Sequence, residues 1–241
     1  MTAPAPARLA AGRTLVTRGR RSYNDGMFVE GTLRWQVTED CPWDLLMALA
    51  LRDLGHLDGI GDPVIPRLSP AVAPVLHPAT GALPVLPARR PAVHPGQGRG
   101  SLEEQWLAWF EFTVDRERRA AGSLLQPPHF TAFDRAIELQ DLILEHFDEA
   151  LLWATERHDE YARASIETHA RRAADIVDVV RDREHELRRQ AGYFRLDLAV
   201  LPLEESGAWI VGPHSVILST SLRDDSRAFR AWFAPVVAAL V

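Results

Sequence analysis

Between residues 61 and 100 the chain carries nine prolines, five glycines and a single acid. A proline inside a helix costs about 3 kcal/mol, because it removes a backbone donor and its ring meets the preceding turn. No long helix can cross this stretch, so whatever folds on either side must be built separately and then joined. Valine, isoleucine and leucine recur within it, too often for a segment that stays wholly unfolded. The reading is a proline-rich connector that hugs the surface. Pro74-Val-Leu76 and Pro84-Val-Leu86 flank His77-Pro-Ala-Thr-Gly81, the spacing of an irregular hairpin, and Pro84 to Arg89 has the PxxPxR form of a polyproline ligand.

The connector divides the chain into four parts: a basic N-terminal arm (1–24), a strand with a short helix (25–60), the connector (61–100), and a helical body ending in a hairpin and a helix (101–241). Met27 to Val37 is rich in β-branched and aromatic residues and reads as a strand. Pro42 to Leu54 reads as a helix, with proline in its first turn and Gly55 at its end. Ser101-Leu-Glu-Glu104 is a capping box, followed by Leu102, Trp106, Trp109, Phe110 and Thr113 on one aromatic face; this helix should stop near Gly122.

After Pro127-Pro128, a second helix starts around Thr131 and Asp134, with Phe133, Ile137, Leu144, Phe147 and Leu151 inward. A third, charged helix spans about 159–190 and stops at Gly192. Its apolar residues Ile166, Ala170, Ala173, Val177, Val180 and Leu187 alternate steps of three and four, the seam of a helix pair or a dimer. Phe194 to Val200 alternates like a strand with one buried face, and Ala208 to Ser221 reads as its antiparallel partner. Asp224, Asp225 and Ser226 then cap a final helix carrying Phe229, Trp232, Phe233 and Val236, with Pro235 as a kink. The class expected is helix-rich α+β: three to four main helices with a small antiparallel sheet that includes a C-terminal β-hairpin.

Composition narrows the chemistry. All 27 cationic residues are arginine. Without lysine there is no Schiff-base amine, no P-loop lysine and no kinase-type strand lysine. Arginine alone points to a high-GC bacterial genome. Cys41 is the only cysteine, so a disulfide within the chain and a multi-thiolate zinc site are excluded. Cys41 precedes a helix entrance, where a thiol's pKa can fall. No apolar run is long enough to span a membrane and no secretory h-region opens the chain, so the expected setting is the cytoplasm, with no membrane partner. The net charge of −6 argues against a nucleic-acid binder. Residues 1–24 hold five arginines and no acid, while 101–190 hold 20 acids against 12 arginines.

Three constellations could carry chemistry. His146, His158 and Asp159 lie among Glu145, Asp148, Glu149 and Glu160, a donor set suited to a divalent metal. The His158-Asp159 pair resembles that of the HD phosphohydrolases, with His129 as an upstream ligand, although no downstream aspartate completes the set. That resemblance implies a metal-dependent hydrolase. Arg163-Ala-Ser-Ile-Glu-Thr-His169 has the Arg-x5-His spacing of HEPN-type ribonucleases, which implies a catalytic arginine and histidine completed by a dimer partner. Gly96 to Ser101 is a glycine-rich lead into a helix, but it lacks the strand and spacing of a dinucleotide fingerprint. His214 and Ser215 are neighbours in a strand, so they face opposite ways and form no nucleophile–base pair.

The leading expectation is a non-catalytic interaction or regulatory protein that needs no cofactor. It would bind a protein partner or self-associate through Ile166, Ala173 and Val180 of the long helix, with Arg18, Arg20 and Arg21 of the arm as further contacts.

Overall fold

A computed structural model describes residues 28–73, 100–120 and 123–241. Arg18, Arg20, Arg21 and the polyproline-like segment lie outside the described residues.

The fold is α+β: a five-stranded sheet with helices on both faces. Its strands are β1 (Phe28–Gly31), β2 (Trp35–Asp40), β3 (Phe194–Leu201), β4 (Ala208–Ile210) and β5 (Ser215–Ser219), in the spatial order β1-β2-β3-β5-β4. The segment read as one strand from Met27 is a hairpin. Gly31, at φ 149°, lies so close to Trp35 that a Cβ would stand 2.1 Å from its carbonyl oxygen, and Thr32 Oγ1 accepts from the Arg34 amide at 3.1 Å.

The sheet is mixed rather than wholly antiparallel. β2–β3 and β3–β5 pair parallel, with Val37 opposite Leu196 and Leu198 opposite Val216, while β1–β2 and β4–β5 pair antiparallel. The C-terminal hairpin is therefore β4–β5, folded within the segment expected to be a single strand. Gly212-Pro213-His214 makes its turn, because a proline inside a ladder has no amide to donate.

Helix α1 (Trp43–Leu54) is buried on every side from Leu45 to Arg52 and ends at Gly55. The buried Arg52 donates to the carbonyls of Ile65 (2.6 Å) and Pro66 (2.8 Å), fastening the start of the proline-rich stretch to the core. Helix α2 (Leu102–Val114) has both halves of its capping box at Ser101 and Glu104, and buries Trp106, Trp109 and Phe110 as the aromatic spacing requires. It ends at Asp115 rather than near Gly122, and α3 (Arg116–Ala120) follows.

The largest departure is α4, one unbroken helix from Ile137 to Leu187 where two were expected. Its 51 residues make it about 76 Å long at 1.5 Å per residue. The charged run Glu156 to Glu160 contains no helix breaker, so the helix crosses it. Leu187 is its last residue, since Arg188 turns left-handed at φ 50° and ends it ahead of Gly192. The buried face of α4 uses Leu139, Leu142, Ile143, Ala150, Trp153 and Tyr161; Leu144, expected inward, is 44% exposed. After β5 come α5 (Thr220–Asp224) and α6 (Ser226–Leu240), the latter capped by Asp225 and containing Pro235.

Alternation along β2 sorts the two layers. Glu39 contacts Tyr161 and Arg172 of α4, whereas Thr38 accepts from Arg116 of α3 at 2.8 Å. Helices α4 and α6 thus cover one face of the sheet, and α2–α3 the other.

Candidate functional site

The sequence candidates do not converge. His146 and His158 stand twelve residues apart on α4, about 18 Å along its axis, too far to ligate one ion. His146 Nε2 lies 4.0 Å from Glu145 and His158 Nδ1 3.9 Å from Asp159, each a chain neighbour. Among the described residues no group of three or more His, Cys, Asp or Glu is placed to hold a metal. Arg163 Nε donates to the Asp159 carbonyl within its own helix, and His169 Nε2 instead approaches Glu30 of β1 at 3.8 Å. The two point away from each other, as a six-residue helical spacing dictates. Cys41 is 4% exposed, and burial pushes its thiol well up rather than down. Desolvation of a thiolate outweighs the helix entrance.

What tertiary folding does assemble is a buried ion network behind β2. Glu39 accepts from Arg172 Nη1 (2.8 Å) and from Arg223 Nε (2.7 Å). Arg223 reaches Asp175 at 3.4 Å and the Arg172 carbonyl at 2.9 Å, and its guanidinium lies 4.0 Å from the centre of the Phe229 ring. Asp175 also accepts from Ser226 (2.8 Å) and Arg230 (2.7 Å), and Arg230 continues to Asp178. The opposite charges are paired with one another, although the buried Nε of Arg172 has no hydrogen-bond partner. They clamp β2, α4, α5 and α6 together.

Two depressions flank the Gly212-Pro213 turn. A charged cleft of about 380 Å³ lies between α2–α3 and the strands, lined by Arg116, Arg195, Asp197, His214 and Ser215 among others. Its cations are engaged by its own acids: Arg116 with Asp197 at 3.1 Å, and Arg195 with Asp197 and Glu117 at 3.1 and 3.2 Å. Close by, Asp40 is pushed up to about 6 by burial, against the pull of Arg119 and Arg116. An apolar groove of about 390 Å³, lined by Leu196, Ile210, Val216, Pro235, Val236 and Leu240, lies on the α6 side.

No family model, curated protein or solved structure matches this chain. Its function must be read from its own surfaces.

A further exposed apolar surface is the outer face of α4. Leu144, Leu152 and Ile166 are 44, 51 and 76% exposed. At about 100° per residue they fall within roughly 80° of one another, on the side away from Leu139, Ala150 and Tyr161. Of the seam residues, Ile166 is fully outward, Ala173 is half-buried and Val180 is fully buried. Val180 is thus withdrawn from any second chain, because α6 packs along this part of α4. Residues Leu144 and Leu152 extend the exposed stripe toward the N-terminal end, where the sequence reading had placed Leu144 in the core. No helix among the described residues is long and apolar enough to cross a membrane.

Proposed function

We propose that this protein works as an interaction protein, engaging another protein chain through the outer face of α4. The observation that carries this reading is the outward stripe of Leu144, Leu152 and Ile166 on a helix held rigid by the core and by the ion network. Single exposed leucines are ordinary on protein surfaces, but a helical stripe of them is the form in which helices dock on helices. Glu145 and Arg163 edge the stripe, and Asp148 and Asp159 fall within its arc, so the face mixes apolar and acidic side chains.

The test is site-specific photo-cross-linking in the native cells, with a photoreactive side chain placed at Leu152 or Ile166. Glu186, 65% exposed and on another side of the same helix, is the control position. Discrete cross-linked protein products from positions 152 and 166, absent from 186, are expected. No product from either, or the same smear from all three, would sink the reading.

A further inference from the structure

We infer that, in the chain by itself, the N-terminal half of this face is covered by the chain's own basic arm, residues 1–24, which a docking partner displaces. The arm lies outside the described residues. Its contact with α4 concerns the chain alone, and only the displacement rests on the interaction reading above.

Charge names the occupant. Around Leu144 and Leu152, α4 presents Glu138, Asp141, Glu145 and Asp148 to solvent on one arc of about 120°. Successive members stand three or four residues apart, the spacing at which like charges on a helix repel. The one arginine between Ile137 and Ala162 is Arg157, which projects from another side and is 16% exposed, engaged by Glu156 and Glu160. Among the described residues no arginine is paired with Glu138, Glu145 or Asp148. The arm carries the matching charge, five arginines and no acid in 24 residues, with Leu9, Leu15 and Val16 among them. Arginine suits the contact, because its planar fork gives a carboxylate two parallel donors. The three apolar residues supply partners for Leu144 and Leu152.

The arm also meets the described structure beside α4, and from the required side. β1 starts at Phe28, paired opposite Glu39, whose carboxylate receives the Tyr161 hydroxyl at 3.5 Å. Two residues on, Glu30 and its partner Val37 lie against His169, Ala173 and Ile176. The strand therefore runs beside the helix in the same direction, and the chain ahead of Phe28 enters from the side of Glu160 rather than of Leu187. From Glu160 back to Glu138 is about 33 Å along the axis. The 27 residues ahead of Phe28 span up to about 90 Å when extended, so the arm reaches the whole acidic row.

The test uses the purified full-length chain with a photoreactive side chain at position 152, irradiated as a mixture of isotopically heavy and light copies and then peptide-mapped. Position 152 should be joined to residues within 1–24, heavy to heavy and light to light, while position 186 gives no such product. Replacing Arg8, Arg13, Arg18, Arg20 and Arg21 together by glutamine should cut the yield at least about fivefold. The combination Glu138→Gln, Glu145→Gln and Asp148→Asn should do the same, with far-UV circular dichroism unchanged in both variants, and added salt should lower the yield of the wild type. Products joined to residues 74–99 or to any other segment would overturn the inference, as would products joining heavy to light copies, which would mean the arm of another molecule. A yield that survives both sets of substitutions would overturn the ionic contact. Cross-linking in the native cells decides the interaction reading separately. An arm product with no partner product would end that reading and leave the arm in place, and a partner product with no arm product would do the reverse. Where both form, the five-arginine variant should raise the partner product at least about twofold, because the competing occupant is gone; an unchanged yield would overturn the displacement.

Discussion

Asp40 shows how a single side chain takes its properties from its setting. It closes β2 on the α2–α3 side, 22% exposed, with Arg119 no nearer than 3.9 Å. Burial raises it from an ordinary 3.8 to about 6, because a carboxylate loses more hydration there than the arginines return. A folded-state pKa above the unfolded one favours the protonated acid on folding. That contribution is whole below about pH 3.8 and is lost as pH rises through about 6. Asp40→Asn should therefore raise stability at pH 8 by on the order of 1–3 kcal/mol, and leave it nearly unchanged at pH 3.5. Urea denaturation at the two pH values checks this. Destabilisation at pH 8 that fades at pH 3.5 would instead mean that the attraction of Arg119 and Arg116 outweighs the burial.

At the scale of elements, local signals were read well where they are covalent or capping in origin. Ser101 and Glu104, Gly55, and Asp225 mark helix ends as expected, since each satisfies orphan backbone groups by itself. The boundary expected between two helices at the run Glu156-Arg-His-Asp-Glu160 does not exist. Charged residues are fair helix formers, and the strong local breakers are glycine and proline. None lies between Ile137 and Leu187. Glu156→Pro should accordingly cost about 3 kcal/mol or more, whereas a proline in a loop between two helices would be nearly neutral. Thermal denaturation followed by circular dichroism distinguishes them. The β3–β5 pairing was missed for a different reason. Alternation reports which face of a strand is buried but not which strand lies beside it, so Phe194 to Val200 carries no mark of a parallel neighbour beyond β4.

For the molecule as a whole, the Glu39 network is what joins the first strand pair to the last two helices. Glu39, Arg172, Asp175 and Arg223 are each 4% exposed or less at the side chain, so removing one leaves the others charged and buried. Glu39→Ala should cost about 3–5 kcal/mol, the usual loss when one partner of a buried pair is deleted. Replacing Glu39 and Arg223 together by leucine and methionine should cost less, since Arg172 keeps Asp224 at 2.8 Å and Asp175 keeps Arg230 at 2.7 Å. Chemical denaturation of the single and double variants checks the difference. A single variant no worse than the double would mean that the network is not a unit. Hydrogen exchange should also show α5 opening earlier in Glu39→Ala, because Arg223 loses its bond to β2 while its bonds to α4 remain.

The sequence by itself determined the α+β class, the capped helices, the aromatic face of α2 and the exclusion of lysine chemistry. All of these follow from period, from end groups or from which atoms the side chains possess. Only the tertiary structure decided which face of α4 is free. Ile166 and Val180 have the same place in the heptad pattern, yet Val180 is covered and Ile166 is not, because α6 reaches one and stops short of the other. It also decided that the buried face of α4 is partly ionic. Arg172 and Asp175 look like solvent residues until Glu39 and Arg223, 133 and 48 positions away along the chain, arrive to pair with them. Periodicity measures hydrophobicity at one helix, and burial depends on what the rest of the chain brings to it.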